Sequence, residues 1–467
     1  MSLPGAHRVH FVGIGGAGMS AIAKVLLERG FIVTGSDLKR SRAAMMLEAM
    51  GAPVHIGHDA SLVEGTDLVV ISTAIPERNP ELVRARETGI DVMSRGGALA
   101  ALLNDFESVI VAGTHGKTTT TSMIVSVLHA ADRDPTYLVG GGLNDAGTNA
   151  RLGRDRLAVA ESDESDGSFL LLEPHIAVVT NIEADHLDHW GSFDAIKEGF
   201  RSFLDAVAPG GSAVLPAGYL LDDYEPAPGI ELCTFGEGGD VEANEVVPSA
   251  TGMNFSLGYR GEQAPVALRV PGRHNVANAL AAAGACLRAG LGLDAVAHGL
   301  GEYRGVERRF QIRGNAAGVT VIDDYAHHPT EVAATLEAAR EGPWRRVVAV
   351  FQPHRYSRTQ ALFAEFGGAF GDADRIVVTD VYGAGEQPVP GVSGKLVADA
   401  VCAKLPGRAV AYLPRHEELI GYLRGSARAG DAVLTLGAGD IGGLGEELLA
   451  ELDGSGRGSD TPMARSS

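Results

Sequence analysis

Val109-Ile110-Val111-Ala112-Gly113-Thr114-His115-Gly116-Lys117-Thr118-Thr119-Thr120-Thr121 is the stretch on which the fold turns. An apolar run ends in a glycine-flanked turn, then Lys-Thr, then a helical pattern over residues 122–131. Strand, glycine loop and helix in that order are what a phosphate-binding loop needs. Gly113 and Gly116 let backbone N–H groups turn inward, and the helix adds its positive N-terminal end. Lys117 is placed to reach the outer phosphates, and the Thr118 hydroxyl to ligate Mg²⁺. The usual G-x-x-x-x-G-K-[ST] spacing is met except at Val111, which stands where the first glycine belongs. The bland alternative is a glycine turn capped by threonines.

Upstream, short apolar runs (8–12, 31–34, 68–72, 91–93) alternate with helical patterns (19–28, 43–50), which predicts a doubly wound parallel sheet. After the first run comes Gly13-Ile14-Gly15-Gly16-Ala17-Gly18, with Asp37 about 20 residues on. This fingerprint lets a diphosphate lie on a helix N-terminus with a carboxylate nearby for a ribose or base. NAD, FAD and UDP-sugars all satisfy that geometry, and tight helix-on-strand packing is the structural alternative.

Downstream of the phosphate loop, runs at 157–160 and 176–180 end in Glu161-Ser162-Asp163-Glu164-Ser165-Asp166 and Asn181-Ile182-Glu183-Ala184-Asp185-His186. Acidic residues at strand ends beside a phosphate loop suit a Mg²⁺–nucleotide centre. Glu161 comes first after its strand and is the better metal candidate; the rest of its run reads equally well as a solvated loop. His186 is a less favoured Mg²⁺ ligand on chemistry alone. Residues 211–270 read as a small β insertion. An alanine-rich helix follows, with Asn275 and Asn278 on one side of it, spaced to read a base edge or to cap the helix. From about residue 312 a third α/β unit has runs at 319–322, 346–351, 375–378 and 432–436. Each ends in a polar cluster, and His327, His354, Arg355 and Arg358 lie in these clusters. Arginine suits bidentate carboxylate binding.

The net charge of −20 argues against a nucleic-acid or anionic-membrane surface. Three scattered cysteines fit a reducing compartment. The first ten residues carry no basic-plus-apolar signal, and no apolar run nears the roughly 20 residues that span a bilayer. A cytoplasmic protein is expected.

Taken together, GIGGAGM (13–19), AGTHGKTTTT (112–121), ESDESDGSF (161–169), TNIEADHLD (180–188), GRHNVANALAA (272–282), RRFQ (308–311), DDYAHHPTE (323–331) and QPHRYSRT (352–359) resemble the Mur ligases, in the family's order and over nearly the whole chain. The resemblance implies three α/β domains: a Rossmann-like UDP-binding domain (1–106), a central P-loop ATPase domain with the β insertion (107–311) and a Rossmann-like amino-acid-binding domain (312–453). Residues 454–467 read as a disordered tail. It implies an ATP-dependent ligase that joins L-alanine to the lactyl carboxylate of UDP-N-acetylmuramate through an acyl phosphate, with Mg²⁺ (Mn²⁺ as a substitute). Lys117, Glu161, His186 and His327 are the implied catalytic residues, and Thr118, Glu161 and His186 the metal ligands. ATP would meet Gly113, Thr114, His115, Gly116, Lys117, Thr118, Thr119, Asn275, Asn278, Arg309 and Asp324. UDP would meet Gly15, Gly16, Ala17, Gly18, Asp37, Ser72 and Thr73, and alanine Tyr325, His327, His354, Arg355 and Arg358. Sibling ligases carry a carbamylated lysine; Lys197 and Arg201 both lie near its place. A monomer or weak homodimer is expected, without nucleic-acid or membrane partners. The alternatives are a relative that reattaches a recycled tripeptide, an NAD-dependent oxidoreductase and a non-catalytic UDP-sugar sensor.

Overall fold

The computed structural model describes residues 5–456, apart from 145–146, 219–220, 222–223 and 250–251. The described residues build three sheets, and the chain divides into two compact units. One comprises Met1–Val247, Asn254–Arg269 and Asn275–Val306, the other Pro248–Met253, Val270–His274 and Glu307–Ser467.

The first sheet contains β1 (Arg8–Val12), β2 (Ile32–Asp37), β3 (Val54–Ile56), β4 (Leu68–Ile71) and β5 (Asp91–Ser94), in the order β3-β2-β1-β4-β5. Helices α1 (Ala17–Glu28), α2 (Arg42–Ala49), α3 (Pro80–Thr88) and α4 (Arg95–Leu103) connect or follow these strands. All strand pairs are parallel. The order reverses between β1 and β4, so the loops after these strands, carrying Gly13–Gly18 and Ser72–Thr73, flank the crevice where such sheets hold ligands.

The central sheet has ten strands: β6 (Glu107–Ala112), β7 (Thr136–Leu138), β8 (Ala150–Arg151), β9 (Leu157–Glu161), β10 (Ile176–Val179), β11 (Ser212–Pro216), β12 (Glu231–Phe235), β13 (Val241–Pro248), β14 (Met253–Tyr259) and β15 (Glu262–Leu268). Their order is β15-β14-β13-β12-β11-β10-β6-β9-β7-β8. The β insertion is therefore an extension of the central sheet, joined to it where β11 pairs in parallel with β10. The helices are α5 (Lys117–Ala130), α6 (Leu187–Trp190), α7 (Phe193–Asp205), α8 (Arg273–Arg288) and α9 (Leu293–Glu302). Helix α5 begins at Lys117 and not at Ser122: its β-branched threonines are weak helix formers, but Thr119–Ser122 are buried and packing overrides that preference.

The third sheet contains β16 (Gln311–Ala316), β17 (Val319–Asp324), β18 (Arg346–Phe351), β19 (Arg375–Val378), β20 (Ala409–Tyr412) and β21 (Asp431–Leu436), in the order β16-β17-β21-β18-β19-β20. Only β16 is antiparallel to its neighbour. Strand β18 buries both faces. Val347, Ala349 and Phe351 pack with α10 (Pro329–Arg340) and α11 (Tyr356–Ala369), whereas Val348 and Val350 pack on the side of α13 (His416–Ser426) and α14 (Leu444–Gly456). Helix α12 (Gly394–Lys404) completes the first of these layers. A continuous apolar strand is what two covered faces require. Because α14 runs to Gly456, residues 454–456 are helical and not part of a tail; residues 457–467 lie outside the described residues. Among the described residues no helix is long and apolar enough to cross a membrane.

Candidate active site

Strand β6 lies between β9 and β10, so the loops after these three strands meet at one sheet edge. That topology gathers the phosphate loop, Glu161 and His186. Gly113 has φ 135° and Gly116 φ 79°, values that suit glycine. A Cβ at either would also collide, with Thr180 Oγ1 and Asn278 Oδ1 respectively. The loop is clamped by the residues after β10: Asn181 O accepts from Thr114 N at 3.1 Å and Asn181 Oδ1 from His115 N at 2.9 Å. The Thr180 hydroxyl donates to His115 O at 2.6 Å. Asn275 and Asn278 are both buried, and Asn278 donates to Asn275 Oδ1 at 3.3 Å. The pair therefore backs the phosphate loop at Gly116 and Thr120.

Lys117 Nζ donates to Gly113 O at 2.6 Å and pairs with Glu164 Oε2 at 2.6 Å. Burial disfavours its charge, but the carboxylates of Glu164, Asp163 and Glu161 outweigh burial and raise its pKa. Glu164, 3% exposed, is pushed up to about 7 by burial despite Lys117 beside it. Asp163 goes the other way: burial lifts it, yet Lys117 and Arg95 hold it near about 2. The acidic run is thus no solvated loop. Arg95, at the start of α4, reaches Asp166 at 3.1 Å and Asp163 at 3.5 Å and lies against Gly18, connecting the acidic run to the first glycine loop. Neither Glu164 nor Arg95 was singled out by sequence reasoning. The only signal for Glu164 was its place within the acidic run.

A Cβ added to Gly140 would collide with Glu161 Oε1 and come within 3.2 Å of Thr118 Oγ1. The two oxygens therefore face the same small space, a donor pair that fits a hard cation. His186 has φ 54° and sits 4.0 Å from Glu164 Oε1 and 3.5 Å from Asp185 Oδ2, beside the carboxylate that pairs with Lys117. Lys197 does not: its ammonium pairs with Asp194 at 2.6 Å and lies over Phe193.

In the first sheet, Gly15 N donates to Asp37 Oδ2 at 2.8 Å. Asp37 is bonded to the glycine loop itself, and its other oxygen accepts from Lys39 N at 3.0 Å. Gly16, Ala17 and Gly18 lead into α1, while Ser72 and Thr73 follow β4 on the neighbouring strand.

In the second unit, β17, β21, β18 and β19 are neighbours, and their terminal loops bring the predicted histidines together. The His327 and His354 rings are 5.7 Å apart, Tyr325 is 5.4 Å from His327, and Tyr382 stacks on His354 at 5.7 Å. Burial, with Arg358 nearby, depresses His327 to about 3 against the pull of Glu331. Burial with Arg358 and Arg355 takes His354 to about 4. Both imidazoles are neutral at neutral pH, and the same burial makes them weak bases. Arg355, at φ 69°, donates to Glu386 Oε1 at 2.6 Å. Arg309 lies over Tyr325 and 3.6 Å from Glu331. Asp324 accepts from Phe310 N and Ala326 N at 2.7 and 2.8 Å, and burial pushes it up to about 6 against Arg309.

A lysine-bearing glycine loop facing carboxylates, a dinucleotide-type sheet and a third α/β sheet with basic, histidine-rich loops are the parts that an ATP-dependent ligase needs. Three family models match in succession: "Mur ligase family, catalytic domain" over residues 8–107, "Mur ligase middle domain" over 111–286 and "Mur ligase, glutamate ligase domain" over 308–439. The chain belongs to the Mur ligase family. It is 51% identical to the UDP-N-acetylmuramate–L-alanine ligase of Rubrobacter xylanophilus, over 95% of this chain and all of the relative. Among solved structures it is similar to a UDP-N-acetylmuramate–alanine ligase from Thermotoga maritima, with TM-score 0.83, 31% identity and coverage of 96% and 99% of the two chains. A murein peptide ligase from Psychrobacter arcticus scores 0.73 at 25% identity, covering 98% and 100%.

Proposed function

We propose that this protein joins L-alanine to the lactyl carboxylate of UDP-N-acetylmuramate at the cost of one ATP, a cytoplasmic step of peptidoglycan precursor synthesis. The carrying observation is the convergence of Lys117, Thr118, Glu161 and His186 at one sheet edge. The likeness to alanine-adding relatives, stronger than that to the murein peptide ligase, supports alanine over a tripeptide.

A carboxylate at neutral pH is a poor acyl electrophile. Its oxygen therefore attacks the γ-phosphorus of ATP, giving an acyl phosphate and ADP. The neutral amine of L-alanine attacks the carbonyl, and the tetrahedral intermediate collapses to the amide and phosphate. Two anions must meet in the first step, so charge neutralisation dominates it. Lys117 exchanges its Glu164 partner for phosphate oxygens, and Glu164, already near neutrality at about 7, tolerates the loss. Magnesium, held by Thr118, Glu161 and His186, would supply further neutralisation of the phosphate oxygens. Gly113–Thr119, with Asn275 and Asn278 behind them, bind ATP in the first unit, and Arg309 and Asp324 are the further ATP-binding candidates that the family resemblance adds. Gly15–Gly18, Asp37, Ser72 and Thr73 hold the UDP group. Tyr325, His327, His354, Arg355 and Arg358 receive the alanine, whose carboxylate suits an arginine. His327 or His354 passes the ammonium proton on to solvent, since pKa values of about 3 and about 4 leave each imidazole too weak a base to retain it. Domain boundaries near residues 106 and 311 and a monomer or weak homodimer complete the reading.

Phosphate release from ATP tests it, with UDP-N-acetylmuramate present and L-alanine, glycine, L-serine or L-Ala-γ-D-Glu-diaminopimelate as acceptor. Release that requires both the UDP-sugar and L-alanine is expected. Release with the tripeptide alone would move the protein to the recycling branch, and release with no acceptor would remove the ligase reading.

A further inference from the structure

Beneath the first glycine loop lies a buried polar hub that the mechanism does not use. Glu81, in the first turn of α3, is 0% exposed and accepts four hydrogen bonds. Its Oε2 takes them from His10 Nε2 at 3.1 Å and the Ser36 hydroxyl at 2.7 Å. Its Oε1 takes them from His58 Nδ1 at 3.1 Å and Asp59 N at 3.2 Å. A carboxylate only accepts, so each facing imidazole nitrogen carries its proton. His10 then has Nδ1 free to accept from the Thr34 hydroxyl at 2.8 Å. Burial works against the charge of Glu81, and the bonds from His10, Ser36 and His58 outweigh it and lower its pKa. The N-terminal end of α3 adds to that stabilisation.

What the hub holds is the loop's support. His10 lies in β1, the strand that feeds the loop. Ser36 lies in β2, and its carbonyl accepts from Gly13 N at 2.8 Å and Ile14 N at 3.0 Å. The adjacent Asp37 takes Gly15 N. Three successive loop amides are thus fixed by Ser36-Asp37, and the Ser36 side chain is fixed by Glu81.

We propose that Glu81 is a positioning residue for the UDP-sugar, setting the glycine loop through Ser36 and His10 without touching the ligand. This rests on the assignment of Gly15–Gly18 to the UDP group. Glu81→Gln is the direct probe. With the amide oxygen toward His58 Nδ1 and Asp59 N, its NH₂ faces His10 Nε2 and Ser36 Oγ, so the four contacts persist only if His10 changes tautomer and the Ser36 hydroxyl turns to accept, which removes the charge and reverses both bonds to the loop's support. Ser36→Ala is milder, removing the hydroxyl's bond to Glu81 and its 3.1 Å contact with His58 Nδ1 while leaving the carboxylate in place.

The experiment is calorimetric titration with UDP-N-acetylmuramate, combined with KM and kcat for each substrate. Glu81→Gln is expected to weaken UDP-sugar binding about tenfold and Ser36→Ala severalfold, as loss of buried hydrogen bonds predicts. KM for ATP and for alanine, and kcat at saturating UDP-sugar, should stay within about twofold on the same grounds. Unchanged UDP-sugar affinity in Ser36→Ala and in folded Glu81→Gln would overturn the proposal while leaving the site assignment standing. An equal rise of all three KM values would overturn it too, as the mark of a general structural role. Failure of the unsubstituted protein to bind the UDP-sugar would remove the site assignment and the proposal together.

Discussion

Lys117 and Glu164 form a closed pair at the proposed phosphate site, so the substitution of one is read through the other. Lys117→Ala leaves Glu164 without its cation, but a carboxyl whose pKa is already about 7 can protonate, and folding should survive. The loss falls on catalysis, at roughly 3–4 kcal/mol of transition-state stabilisation, the scale of one preorganised donor. Near-normal kcat would defeat the assignment; circular dichroism checks the fold. His327 and His354 give a pH prediction. Their pKa values are depressed from 6.5 to about 3 and about 4. Between about 6.5 and 4 the unfolded chain binds protons that the folded chain refuses, so their contribution to stability falls as pH drops through that window. Opening free energies of β17 and β18 from hydrogen exchange should be lower at pH 5 than at pH 7, and His327→Gln with His354→Gln should flatten the difference. An equal drop in both proteins would contradict this. At this scale sequence was uneven. Lys117, Thr118 and Glu161 could be proposed from motif position, at the start of α5 and the end of β9, whereas His186 was proposed on the family resemblance. Glu164 and Glu81 were not, because a carboxylate shows whether it is buried only once its tertiary neighbours are known.

Elements carried most of the readable signal. The buried runs of β1, β4, β6, β9, β10, β18 and β19 appear in sequence as apolar stretches, since both faces are covered. Strands β3, β7, β8, β16 and β20 were not read: β7 and β8 are too short to show a pattern, and β3, β16 and β20 are not fully buried runs, so hydrophobicity did not mark them. The β-like runs at 211–270 were visible, but their continuity with β10 depends on pairing, which is non-local. The phosphate loop carries this scale's prediction. Gly113→Ala puts a methyl into Thr180 Oγ1 at φ 135°, and the loop must shift. The expected cost is at least about 1–3 kcal/mol in affinity for a non-hydrolysable ATP analogue, with UDP-sugar binding kept. Unaltered affinity for the analogue would show that the loop's conformation is not what binds ATP.

Across the whole molecule, three α/β sheets present three sets of strand-end loops, and the family's chemistry divides among them. Chelation of divalent cations should therefore abolish phosphate release, with Mg²⁺ or Mn²⁺ restoring it. Titration with the UDP-sugar should be unaffected, because Gly15–Gly18 and Asp37 belong to a different sheet from Thr118 and Glu161. Activity that persists after rigorous metal removal would oppose the proposed role of Thr118, Glu161 and His186. The central claim is that the lactyl carboxylate is phosphorylated and then taken by alanine. It is tested most directly with UDP-N-acetylmuramate carrying ¹⁸O in that carboxylate, ATP and L-alanine, followed by mass spectrometry of both products. One ¹⁸O should pass into phosphate for each alanyl amide formed, the other remaining in the amide carbonyl. Amide formed with unlabelled phosphate would contradict the acyl phosphate, and labelled phosphate without alanyl product would contradict the acceptor.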